Sequence, residues 1–228
     1  MAGDPGAWFR WVIASSGAHI DIAGHVVTQP PLSVEDVRAA VEFLDGWGMD
    51  YYLNAASGTY MSPNCAARAR ELLIASLTDP AHVALVDQEL AKHQAITVFG
   101  ADLVRDDVTK ICFLDSGVPR QQIEEALGDR FVVTGTTVVQ FGPDSGELLA
   151  KGSGKVPAIR AVLAQFDIPV EDTIAYGDGL NDLEMLRYVH IGVAMGNAHP
   201  HLKDAADQVT GTPDEHGIRT SFTALGLI

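Results

Sequence analysis

The sequence predicts an α/β protein: a parallel-sheet core drawn from the two ends of the chain, residues 1–27 and 146–228, interrupted by an α+β insert over residues 28–145. Three observations carry this expectation. From about Ser153 onward, helical and strand patterns alternate to the C-terminus, which is the signature of βαβ units and a parallel sheet. The middle of the chain is different, with strand-like runs rich in Val, Ile, Thr and Phe set among helical stretches. The N-terminal runs, finally, read as strands without helices between them.

In order, "WVIAS" (Trp11 to Ser15) reads as a short strand stopped by Ser16-Gly17, and "HIDIAGHVVTQ" as a hairpin about its central glycine. Pro30-Pro31 precedes a well-punctuated helix. Ser33 is its N-cap, Glu35 and Asp36 suit the positive end of the dipole, and Val37, Val41 and Leu44 recur at helical spacing until Gly46 or Gly48. "MDYYLNAASGTYMSP" reads as two strands around Ser57-Gly58, and "CAARARELLIASL" as a helix. "QAITVFG", "VTKICFLD" and "FVVTGTTVVQFG" have strand composition, with "PRQQIEEALGDR" helical between the last two. The junctions with the core fall at "TQPPL" and "GPDSGE". Beyond them come helix "KVPAIRAVLAQF", strand "TIAY", helix "DLEMLRYV", strand "IGVAM", helix "PHLKDAA" and strand "DQVT".

Composition narrows the function. Thirty acidic against fifteen basic residues give a formal charge of −15, which repels phosphodiester backbones and anionic membranes, so nucleic acid and membrane are not expected partners. Cys65 and Cys112 have neither CxxC nor Cys/His spacing, so no disulfide framework or zinc site is expected and a reducing cytoplasm fits. No apolar run approaches the roughly 18 residues of a membrane span, and the N-terminal stretch lacks the regions of a signal peptide.

The chemistry concentrates in "YGDGLND", Tyr176 to Asp182, directly after a strand. In open parallel sheets the ligand site lies beyond the carboxyl ends of the strands, which is where this strand delivers Asp178. Either Asp178 or Asp182 alone would be an ordinary turn or helix-start residue. Two acids four positions apart, however, can converge on one locus, and carboxylate oxygens sharing a site bind Mg²⁺ beside waters and a substrate phosphate. "KGSGK" places Lys151 and Lys155 just before a helix; if Lys155 faces the acidic turn it neutralises phosphate charge and holds the carboxylates. "AMGNAHP" follows the next strand at the same edge, where backbone N–H groups and Asn197 can receive a polar ligand.

The run from "KGSGK" through "YGDGLND" and "AMGNAHP" to "DEHGI" resembles the C-terminal half of haloacid dehalogenase superfamily phosphatases, in their Cof-like sugar-phosphatase branch. The resemblance implies a Rossmann-like core and a cap that closes over the site. It further implies a Mg²⁺ cofactor and small phosphorylated metabolites such as sugar phosphates as substrates. Lys155 is similar to the family's phosphate-binding lysine, Asp178 to its direct metal ligand, Asp182 to its second-shell or water-mediated metal acid, and Asn181 to the residue beside the phosphate. The N-terminal runs resemble the family's third core strand and cap entry, with Ser16 where the family often has Asn. Tyr51 and Tyr52 either line the cap or fill a buried strand.

The family's reaction starts on an Asp-x-Asp-Gly-Thr strand whose first Asp attacks phosphorus and whose second is the general acid and base. No Asp-x-Asp occurs in these 228 residues. "CFLDSG" is a worn imitation, with Asp115 in the first acidic place, and reads better as a cap strand and turn. His19, His25, His199 and His201 lack a third ligand at useful spacing and are expected to be exposed or capping. The sequence therefore admits a Mg²⁺-dependent phosphatase whose nucleophile lies upstream, or a catalytically silent phosphate-binding module. It also admits an incomplete sheet closed by edge pairing in a homodimer.

Overall fold

The computed structural model describes residues 11–14, 17, 19–22, 25–28, 30–136 and 138–228. Ser15, Ser16 and the side chains of His19 and His25, which carry some of the expectations above, lie outside the described part. The chain divides into two compact units, Met1–Thr28 with Ser153–Ile228, and Gln29–Gly152.

In the first unit, strands β1 (Trp11–Ala14), β2 (His19–Ile22) and β3 (His25–Thr28) form an antiparallel meander. A parallel sheet follows, in the order β10 (Ile174–Gly177), β11 (Ile191–Ala194) and β12 (Gln208–Val209). Helix α5 (Lys155–Phe166) buries Ala158 and Val162, one helical turn apart, against Ile20 of β2. Helices α6 (Leu183–Tyr188) and α7 (Pro200–Ala205) bury Leu186 and Leu202 against Ala194, Met195 and Ala198. Helix α8 (Gly217–Ala224) closes the unit, and its Ser221 Oγ lies 2.9 Å from the Tyr176 hydroxyl.

The second unit is a six-stranded sheet in the order β6-β5-β4-β7-β9-β8. Its strands are β4 (Tyr51–Ala55), β5 (Gly58–Met61), β6 (Thr97–Val98), β7 (Val108–Phe113), β8 (Phe131–Gly135) and β9 (Gly146–Ala150). One face packs on helix α1 (Val34–Gly46), which buries Val37, Ala40, Val41 and Leu44 at helical spacing, and on α4 (Arg120–Leu127). Ser33 caps α1 as expected, its hydroxyl accepting from the Asp36 N–H at 3.0 Å. Tyr51 belongs to this core and is fully buried; Tyr52, on the opposite face, packs with Cys65 of helix α2 (Cys65–Ile74) and with Phe141.

Three segments differ from the sequence reading. Residues 146–150 were expected in the core, yet they form β9, hydrogen-bonded between β7 and β8, so the insert runs to Gly152 instead of residue 145. The stretch from Phe131 leaves strand geometry after Gly135 and ends in a 3-10 turn at Val139–Phe141. Helix α3 (Pro80–Ala95) was not anticipated, and it takes Gln94 and Ala95 from the predicted strand that became β6. None of its residues is buried, so no apolar stripe announces it. Its ends carry the missed signals: Asp79 accepting from the Ala81 N–H at 2.9 Å, Pro80 in the first turn, and Lys92 and His93 in the last.

Candidate active site

The site grows from the carboxyl end of β10. After Gly177 the chain turns through Asp178 and Gly179 into a 3-10 turn at Leu180–Asp182, which runs on into α6. Gly177 is required here by space: a Cβ on it would stand 2.5 Å from the Asp182 Cβ and 2.8 Å from its Cγ. Asp182 is folded back against the strand and is 6% exposed. Its Oδ2 accepts the backbone N–H groups of Asp178 at 3.1 Å and Gly179 at 3.2 Å, and its Oδ1 accepts from the Lys155 ammonium. Those bonds and that charge pair compensate the burial of the carboxylate.

Lys155 arrives at the first position of α5. Gly154 before it has φ 134°, and Gly17, at φ 97°, approaches so closely that a Cβ would lie 2.2 Å from the Gly154 carbonyl oxygen. The end of the β1 segment and the start of α5 are thereby held side by side. Lys151 is exposed on the preceding turn.

The third wall is the loop after β11. Asn197 donates from Nδ2 to Asp178 Oδ2 at 3.1 Å, and the His199 N–H donates to the Asp178 carbonyl at 3.1 Å. Asn197, expected to receive a ligand, bonds the Asp178 carboxylate in this structure. His199 accepts the His201 N–H at its Nδ1, so it caps α7 as a capping histidine should. Asn181 lies within the turn, and its Oδ1 is buried without a hydrogen-bond partner.

Lys155, Asp178, Asn181, Asp182 and Asn197 are thus brought to one turn and its adjoining loop. Sequence reasoning missed Lys203 of α7, whose Nζ donates to the Gly196 carbonyl at 2.6 Å, and the amide cradle around Asp182. Asp115 belongs to the other unit, after β7, where its two oxygens accept the N–H groups of Gly117 at 2.9 Å and Asp144 at 3.3 Å in a closed turn.

Among the described residues, no group of three or more His, Cys, Asp or Glu side chains gathers as a metal cage. Hard oxygen donors do share the turn. Asp182 has both oxygens engaged, but the Asp178 carboxylate and the orphaned Asn181 Oδ1 suit Mg²⁺, which keeps several waters and takes few protein ligands. Beside the turn, a cleft of about 630 Å³ runs along β10, lined by Ile13, Ile159, Leu163, Tyr176 and Met185 and reaching Lys155 and Asp182.

A strand, a two-acid turn, a lysine at a helix start and an asparagine loop thus meet at the carboxyl edge of the parallel sheet. The family model of haloacid dehalogenase-like hydrolases matches residues 7–221, and the chain belongs to that family. It falls in the Cof-like branch expected from its sequence. YkrA of Bacillus subtilis (strain 168) is 48% identical over 91 residues, 40% of this chain and 35% of that protein. The phosphatase YwpJ of the same organism is 44% identical over 82 residues, 36% of this chain and 29% of that one. The matched stretch therefore spans about a third of these relatives' own length. Among solved structures, the HAD subclass IIB sugar phosphatase BT4131 superposes with a TM-score of 0.75 at 24% identity, covering 98% of this chain and 78% of that one. A haloacid dehalogenase-like hydrolase from B. subtilis gives 0.70 at 25% identity, over 94% and 79%. Among the described residues, no helix is long and apolar enough to cross a membrane.

Proposed function

We propose that this chain supplies the metal- and phosphate-holding half of a phosphomonoester hydrolase acting on small phosphorylated metabolites of the sugar-phosphate kind. The observation that carries the reading is the single turn in which Lys155 pairs with Asp182 while Asp178 and Asn181 keep oxygens for a ligand. Asp178 and Asn181 would hold Mg²⁺, which when bound neutralises charge on the phosphoryl oxygens. Lys155, pinned by Asp182, presents its remaining N–H donors to the phosphate, so the dianion meets a preorganised cation without reorganisation cost. Asp182 fixes that geometry, its buried carboxylate turned to Lys155 and to the turn's own N–H groups. We assign Asn197 to orienting Asp178.

Hydrolysis through an aspartyl-phosphate also needs a carboxylate nucleophile and a general acid. Asp182 is buried in its pair with Lys155, and Asp115 lies in the other unit, in a turn where it accepts from Gly117 and Asp144. The cleft along β10 supports a place for the missing group. In the parallel ladder with β11, Thr173 and Gly177 accept from Ile191 and Met195, so the alternate residues Ile174 and Tyr176 turn their backbone groups toward the cleft. We infer that an extended segment carrying the nucleophile lies there. The second reading, a catalytically silent phosphate-binding module, is favoured by the absence of Asp-x-Asp from the sequence.

The test is hydrolysis of an aryl phosphate by the 228-residue protein, with and without Mg²⁺, beside Asp178→Asn, together with binding of inorganic phosphate. Mg²⁺-dependent phosphate binding without turnover is expected. Turnover abolished by Asp178→Asn would show that the chain already contains its nucleophile. Loss of both binding and turnover would remove the reading altogether.

A further inference from the structure

We propose that Lys203 is a positioning residue for Asp178, acting through the Gly196–Asn197 backbone; this rests on the reading of Asp178 as the metal-site acid. The contacts form one chain. Lys203 Nζ donates to the Gly196 carbonyl at 2.6 Å, the Gly196 N–H donates to the Gly211 carbonyl at 3.1 Å, and Asn197 Nδ2 donates to Asp178 Oδ2 at 3.1 Å. Gly196 is wedged as well as bonded: a Cβ there would stand 2.7 Å from the Thr212 N. Its peptide is therefore gripped at the nitrogen, at the oxygen and at Cα.

That grip matters because Asn197 is exposed and holds Asp178 by one side-chain bond. An exposed asparagine samples several rotamers, and only a fixed backbone keeps its amide aimed at one carboxylate oxygen. The ammonium supplies the strongest of the contacts that fix it, a charge-assisted bond to a carbonyl. Asp178 is then presented with one oxygen held by Asn197. The ordinary alternative is that Lys203 complements the negative end of the short helix α7, where it sits in the last turn. Such a role would stabilise the helix and leave the properties of Asp178 unchanged.

The two roles separate in a set of variants of the full chain: Lys203→Met, Lys203→Arg, Asn197→Ala, the double Lys203→Met with Asn197→Ala, and Leu202→Val as a control that loosens α7 while keeping the ammonium. Two quantities are read, the Mn²⁺ dissociation constant by electron paramagnetic resonance and the NMR signal of the Asn197 side-chain amide. Groups that orient metal ligands are worth about 10–100-fold in affinity, and Lys203, one step further out, is expected at the lower end. Lys203→Met should weaken Mn²⁺ binding about 10-fold, Lys203→Arg should recover part of it, and Leu202→Val should leave it unchanged. In Lys203→Met the Asn197 amide proton bonded to Asp178 should move to the position of an unbonded asparagine amide. The double variant should bind Mn²⁺ no more weakly than Asn197→Ala alone, because Lys203 acts through that side chain.

Additive losses, unchanged Mn²⁺ binding in Lys203→Met, or an equal loss in Leu202→Val would overturn the proposal. Should the unsubstituted protein bind no Mn²⁺, the metal reading of the site fails. The amide signal then decides on Lys203 by itself, since it reports the Asn197–Asp178 bond without any metal: movement of the bonded proton to the position of an unbonded amide in Lys203→Met upholds the positioning role, and an unchanged position refutes it.

Discussion

Gly177→Ala is the smallest perturbation that reaches the centre of the site. The added Cβ would lie 2.5 Å, 2.8 Å and 3.0 Å from the Cβ, Cγ and Oδ2 of Asp182. Carbon atoms in contact prefer about 3.5–4.0 Å, so roughly 1 Å must be found. If the strand moves, the cost is that of overpacking, about 1–3 kcal/mol. If Asp182 swings away instead, it gives up two amide bonds and the Lys155 pair. The side chain of Lys155 is 27% exposed and can reach water, so its share is small, and the two amide bonds to a charged acceptor dominate at about 2–3 kcal/mol. Across the two routes the cost is about 1–3 kcal/mol. Urea unfolding followed by circular dichroism, with the two units fitted as separate transitions, measures it. The same change in an Asp182→Gly background has nothing to collide with and should cost less than ~1 kcal/mol. Equal costs in both backgrounds would refute the claim that Asp182 is packed on Gly177.

Other expectations follow from the same contacts. Lys110 and Glu147 pair at 2.9 Å with side chains 11% and 9% exposed, so Lys110→Met should cost about 3–5 kcal/mol in urea unfolding, and Lys110→Met with Glu147→Leu much less. Burial, and then the charge of Asp50, push the Cys65 thiol up to about 12, and burial pushes Cys112 to about 12. Neither should react with iodoacetamide at about pH 8 in the folded protein, and both should react in denaturant; stoichiometric labelling of native protein would contradict this. Ser33 and then Arg130 hold the Asp36 carboxyl below its usual range, which stabilises the fold above the unfolded pKa near 4 and ceases to do so as pH falls through the lower folded value. The urea midpoints of wild type and Asp36→Asn should differ at about pH 7 and converge near pH 2.

What the sequence disclosed follows from how each element is stabilised. α1 and the βαβ elements after Ser153 were legible because their apolar residues face one side, and Ser33 marked a helix start that burial then fixed. α3 was not, because it buries nothing and its evidence lies in caps alone. Residues 146–150 were placed in the core because Gly142, Pro143, Asp144 and Gly146 look like a junction before them, whereas only non-local pairing with β7 and β8 makes "GELLA" a strand of the insert. In the site, Lys155 and the acids of the turn could be picked out by spacing. That Asp182 holds Lys155 while Asn197 holds Asp178 could not be, since it depends on which oxygen faces which donor. Lys203 contacts a backbone carbonyl, and sequence gives no sign of such a partner.

The most direct test of the central claim is calorimetric titration of the chain with inorganic phosphate, in the presence and absence of Mg²⁺, beside Asp178→Asn and Lys155→Met. The account predicts binding that requires Mg²⁺, is lost in Asp178→Asn and is much weakened in Lys155→Met. Phosphate binding that persists without Mg²⁺ and in Asp178→Asn would contradict it, and would show that the acidic turn is a structural corner and not half of a phosphatase site.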